Sequence, residues 1–134
     1  MFFDIYITGE MAMRKLFVLL ILAVFVLTMP VSAATYDNPT MGEQNAVKKA
    51  ITYLKYSAFS KTGLIHQLEY EGFSNQEATY GVNHIEVNWN AQAEKRANSY
   101  LKFMSFSRKG LIDQLEFDGF TNEQAVYGVT AVGY

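Results

Sequence analysis

The chain has 134 residues, a formal net charge of −2 and a pI near 5.6, so it lacks the basic excess with which a nucleic-acid binder neutralises phosphates. Half of its residues are hydrophobic, 15% are aromatic and only two are proline, which excludes a disordered composition. It contains no cysteine, so disulfides, thiolate catalysis, cysteine-ligated metals and lipid attachment through cysteine are excluded, and an exported fold must be held by packing alone, a habit of Gram-positive bacteria.

Residues 1–12 carry Asp4 and Glu10, the wrong charge for the start of an export signal. They read as an over-extended start, with Met11 or Met13 as the true one. Residues 13–33 read as a secretory signal peptide. Arg14 and Lys15 form its positive end, Leu16 to Leu27 its apolar stretch, and the small residues before Ala34 predict cleavage between Ala33 and Ala34. The alternative is a retained membrane anchor. The apolar stretch to Met29 is about 14 residues, against the roughly 20 of a spanning helix. Residues 34–43 are polar, with Asn38-Pro39 and Gly42, and read as a flexible tether.

The remainder is an internal repeat. Shifted by about 47 residues, Ala46–Val82 lies over Ala93–Val129 with roughly 21 of about 37 positions identical. Each copy, at 44–83 and 88–134, predicts three helices. The first runs from about Gln44 to Ser57, and in the second copy from Trp89 to Met104, with apolar residues at three- and four-residue steps. Asn88, Ser60 and Ser107 are placed as N-caps. The second helix carries Leu64, Ile65 and Leu68, or Leu111, Ile112 and Leu115, and stops at Gly72 or Gly119. The third begins at a capping box, Ser74 to Glu77 or Thr121 to Gln124, and ends at Tyr80-Gly81 or Tyr127-Gly128. Phe59, Phe73, Tyr80, Phe106, Phe120 and Tyr127 are expected in small cores with the leucines. The expected fold is all-α: two tandem helix-turn-helix-like modules joined by the long helix from Trp89, which would also brace the first module, because so small a module buries little by itself.

The motif Ala50-x₂-Tyr53-Leu54 through Phe59-Ser60, Gly63-Leu64-Ile65, Gln67-Leu68-Glu69, Gly72-Phe73 and Tyr80-Gly81-Val82, then Trp89-x₂-Gln92-Ala93 and its second copy to Val129, resembles the Ltp-type host cell surface-exposed lipoprotein family. The resemblance covers both copies. It implies an exported protein, secreted or on the cell surface, and for some members superinfection exclusion, in which phage DNA entry is blocked. The lipidated cysteine of lipoprotein members has no counterpart here.

The turn between the second and third helices resembles a DNA-binding helix-turn-helix. The would-be recognition helices, Asn75–Tyr80 and Asn122–Tyr127, contain no lysine or arginine, which argues against DNA. His66 and His84 have no counterparts in the second copy, and no phosphate loop, nucleophile elbow or catalytic pair is present. Neither an enzyme nor a metal or cofactor site is expected. The candidate surface is a repeated acidic strip, Glu69 and Glu71 with Asp113, Glu116 and Asp118. Its negative charge lies at helix C-termini, where the helix dipole disfavours it. It suits a basic protein partner such as a phage injection component, or it is simply the solvated face of the helix. Tyr56, Tyr70 and Phe117 would add contact area or flank the core. The alternative function is an exported repeat protein that binds cell-wall polymer, with the membrane met only through an uncleaved signal.

Overall fold

The computed structural model describes residues 38–134, and the start, the signal peptide, the Ala33–Ala34 cleavage site and the tether as far as Asp37 lie outside the described residues. Six helices follow in order: α1 (Met41–Tyr56), α2 (Lys61–Tyr70), α3 (Asn75–Asn83), α4 (Trp89–Phe103), α5 (Arg108–Phe117) and α6 (Asn122–Ala131). There is no strand among the described residues. α1–α3 and α4–α6 are the two modules.

Each helix starts on a side-chain cap. Ser60, Ser107 and Asn88 accept from Gly63, Gly110 and Ala91, and Ser74–Glu77 and Thr121–Gln124 form full capping boxes. Each cap contributes about 1 kcal/mol. α1 starts earlier than its periodicity predicts. Thr40 and Glu43 form a third capping box and Glu43 is buried, so the helix takes in Met41 to Glu43, which the sequence assigns to the tether. α2 and α5 end in Schellman turns. Gly72 and Gly119 have φ of 98° and 91°, and the Phe73 and Phe120 amides donate back to the Leu68 and Leu115 carbonyls.

Within a module the long first helix packs along the third, and the second helix closes the side. One core holds Ala50, Leu64, Leu68, Ala78 and Val82. The other holds Ala93, Ala97, Leu111, Ile112, Leu115, Phe120, Ala125 and Val129. Phe59, Phe73 and Phe106 pack against these cores. Tyr80 instead stacks on His84 at 3.7 Å, and Tyr127 is exposed. Both tyrosines sit one position before a glycine and so turn away from the face that the glycine presents to α1 or α4.

Those glycines do not end the third helices, which continue to Asn83 and Ala131. Gly81 and Gly128 lie inside them, at the helix crossing. A Cβ on Gly81 would come within 2.8 Å of the Ala46 carbonyl carbon and Cβ, and one on Gly128 within 2.7 Å of the Ala93 carbonyl carbon. Backbone approaches backbone here, and only a missing side chain permits it.

The modules meet through the start of α2 and the end of α5. Ser60 Oγ, which caps α2, also donates to the Asp118 carbonyl at 2.6 Å, and Thr62 Oγ1 donates to the Gly119 carbonyl at 2.9 Å. The N-terminus of α2 thus sits on the C-terminal turn of α5, where the positive end of one helix meets the negative end of the other. α4 braces the first module less than its length suggests. Its first residue, Trp89, packs on the first core, while Ala93 and Ala97 belong to the second.

Two pairs of substitutions follow from this packing. Gly81→Ala and Gly128→Ala should each cost about 1–3 kcal/mol in urea unfolding, the usual range for overpacking. Gly72→Ala should cost only the left-handed backbone penalty of roughly 1–2 kcal/mol, because nothing lies within 4 Å of a Cβ there. Gly119→Ala should cost more, because its Cβ would fall 2.2 Å from Thr62 Oγ1 and push the junction apart. Equal losses for Gly72→Ala and Gly119→Ala would contradict the junction.

Candidate functional site

The five carboxylates of the acidic strip divide into three kinds. Glu71 and Asp118 hold helices together. In the first module Glu71 accepts a short hydrogen bond from the Tyr53 hydroxyl and pairs with Lys49 at 2.9 Å, while Gln67 donates to the same hydroxyl at 3.2 Å. In the second, Asp118 takes Arg96 Nε at 2.6 Å and the Tyr100 hydroxyl at 2.8 Å, with Gln114 at 3.2 Å from that hydroxyl. The two networks occupy equivalent repeat positions. Each joins the end of its module's second helix to the side of its long helix. The cation from α1 or α4 offsets the cost of a carboxylate at a helix C-terminus.

Glu69 and Glu116 fasten the turn instead. Asn75 and Asn122 each donate to them at 2.7 Å across the glycine turn, and His66 adds a contact to Glu69 at 3.0 Å. Asp113 is tied only to Lys109, one helical turn back on an exposed face, at 2.6 Å. Pairs of that kind contribute little. The strip is therefore not one continuous surface. Asp113, Glu116 and Glu71 are exposed and Asp118 is half-buried, but the oxygens of Glu71 and Asp118 are engaged by their clasps.

The shifts in acidity follow these contacts. The Tyr53 hydroxyl and then Lys49 hold Glu71 below its ordinary 4.5, and Asn75 and then His66 do the same for Glu69. Burial, then Asp118, pushes Tyr100 up. Burial lowers Arg96, but the hydrogen bond and charge of Asp118 raise it by more.

Large aromatic side chains end four of the helices in solvent. Tyr70 and Phe117, at the last positions of α2 and α5, are 88% and 86% exposed. Tyr56 and Phe103, ending α1 and α4, are 84% and 86% exposed. Phe103 escaped the sequence reading, although it is the repeat counterpart of Tyr56. Among the described residues no cluster of histidines and carboxylates is arranged to hold a metal, and no helix is long and apolar enough to cross a membrane. His84 contacts the Tyr80 carbonyl at 2.8 Å. α3 and α6 carry no lysine or arginine.

Glu71 and Glu69 have lower pKa values folded than unfolded, so their stabilisation is complete above the unfolded value near 4.5 and is lost as the pH falls through the folded values. The melting temperature should therefore fall as the pH drops below about 4.5, and Glu71→Gln should flatten that fall while lowering stability at neutral pH. Asp118→Asn should cost about 1–3 kcal/mol at neutral pH, through weakened hydrogen bonds to a charged acceptor. An acid limb of the same steepness in Glu71→Gln would remove Glu71 from the account.

Comparison with known proteins follows the two modules. The model of a family described as host cell surface-exposed lipoprotein matches residues 42–85 and again 88–132. The solved structure of Ltp, a superinfection exclusion protein from the Streptococcus thermophilus temperate phage TP-J34, is similar, with a TM-score of 0.64 and 33% sequence identity. The similarity covers 69% of this chain and 96% of that one. No curated protein matches. With both modules matched and well over half of its length covered, the chain belongs to the host cell surface-exposed lipoprotein family of the Ltp type.

Proposed function

We propose that this chain is a surface-associated interaction module that interferes with phage DNA entry by binding a basic protein of the injection apparatus. The observation that carries the reading is the similarity of both modules together to a superinfection exclusion protein. The chain works by binding and carries out no chemistry. The contact surface consists of Glu69 with Tyr70 in the first module and Asp113, Glu116 and Phe117 in the second. In each module an exposed aromatic ring sits beside a carboxylate. Such a pair offers apolar area and negative charge together, which suits a basic partner. Glu71 and Asp118 are left out of this surface, since their oxygens are engaged with α1 and α4.

Expression in a phage-sensitive Gram-positive host should lower the efficiency of plating and the entry of phage DNA while leaving adsorption intact. Glu116→Lys with Phe117→Ala should restore plating at least about tenfold, in line with the loss of a central interface anchor. No change in plating across a phage panel would sink the proposal. Restoration by the double variant together with loss of the folded circular-dichroism signal would count against this surface.

A further inference from the structure

A groove lies between α1 and α4. One wall is the C-terminal half of α1 and the loop after it; the other is α4. Its first section, about 510 Å³, is lined by Lys55, Lys95, Arg96 and Lys102 among others, and its second, about 390 Å³, shares Lys55 and Lys95 with it and reaches Gln92. Volumes of this order suit a bound small molecule or a polymer segment.

The charges in the groove are unbalanced. Arg96 is committed to Asp118. Among the described residues, Lys55, Lys95 and Lys102 have no carboxylate partner. The one carboxylate lining either section is Glu86, in the second. Lys95 and Lys102 lie seven residues apart on α4, about 10 Å along one face, and Lys55 faces them from α1. This is a line of positive charge in a chain whose net charge is negative.

A second feature points to the same groove. Gln92, in the lining of the second section, is only 7% exposed, and its Oε1, turned away from solvent, has no hydrogen-bond donor among the described residues. A buried acceptor left without a donor costs about 1–3 kcal/mol, so such a group calls for an explanation. A ligand that brings both phosphate and hydroxyl answers both features. Nucleic acid fits less well, because the groove offers a single aromatic ring, Tyr56, where single strands stack successive bases on several. A lipid bilayer fits less well because the lysines line two facing walls instead of one flat face.

We infer that the groove between α1 and α4 binds a polyol-phosphate chain, with Lys55, Lys95 and Lys102 on its phosphates and the Gln92 amide, turned so that its oxygen faces the groove, accepting from a polyol hydroxyl. This site is distinct from the carboxylate and aromatic surface proposed for the protein partner, and the two can fail separately.

The test is titration of the purified full chain with soluble poly(glycerol phosphate), alongside inorganic polyphosphate, a single-stranded DNA oligomer of equal charge, and phosphatidylglycerol vesicles. The glycerol polymer should bind most tightly, and its binding should weaken with salt. Lys55→Glu, Lys95→Glu and Lys102→Glu together should weaken it at least tenfold. Lys48→Glu, at the repeat position equivalent to Lys95 but outside the groove, should leave it unchanged. Gln92→Leu should abolish the preference for poly(glycerol phosphate) over polyphosphate. The inference is overturned by absent binding of the polymer, by equal loss with Lys48→Glu, by an unchanged preference in Gln92→Leu, or by tighter binding to DNA or to vesicles. Phage plating is not a readout here, so a failure of the exclusion proposal leaves this result standing.

Discussion

Asp118 is the residue on which the relation of the two modules depends. Its carboxylate ties α5 to α4 through Arg96 and Tyr100, and its backbone carbonyl receives Ser60 from the other module. One short side chain and one peptide group thus link the inside of the second module to the edge of the first. Modules of this size have little apolar area to bury, so polar contacts of good geometry carry more of the organisation than they would in a larger domain. The groove between α1 and α4 borders this junction, with Arg96 in its lining.

The carboxylates show how one residue type can serve two ends. A negative charge at a helix C-terminus is unfavourable in isolation. Glu71 and Asp118 meet a cation from the neighbouring helix, so their placement is explained within the fold. Asp113 is tied only to Lys109 on its own helix and Glu116 only to Asn122 across the turn, with no cation from a neighbouring helix, and both are exposed beside Phe117. The proposed partner surface therefore narrows to those positions and to Glu69 with Tyr70, while the unpaired lysines line the groove between α1 and α4.

Most local features were legible in the residues themselves. The Ser, Thr and Asn caps, the positive-φ glycines at 72 and 119, and the repeat register all depend on neighbours a few positions away, and the helices follow them. Thr40 with Glu43 has the same capping pattern as Ser74 with Glu77, but it sits in a stretch whose proline and glycine suggest a tether. The long-range features were not legible. Gly81 and Gly128 look like helix stops until Ala46 and Ala93 are seen against them. Nothing local marks Lys49 and Tyr53 as partners of Glu71, although the i,i+4 cation–tyrosine pair recurs at Arg96 and Tyr100. The lysines of the groove are scattered in sequence and come together only when α1 and α4 face one another.

The contact between modules joins unlike surfaces, the start of α2 on one side and the end of α5 on the other. Joints of that kind have no built-in stop, since each added unit presents the same free ends and open filaments can result. Here the ends differ. Position 109, the counterpart of Thr62, is a lysine engaged with Asp113, so the short hydroxyl that reaches the next glycine carbonyl is not repeated. Single-residue divergence between two otherwise similar copies thus leaves the second module without one of the two donors that make this joint.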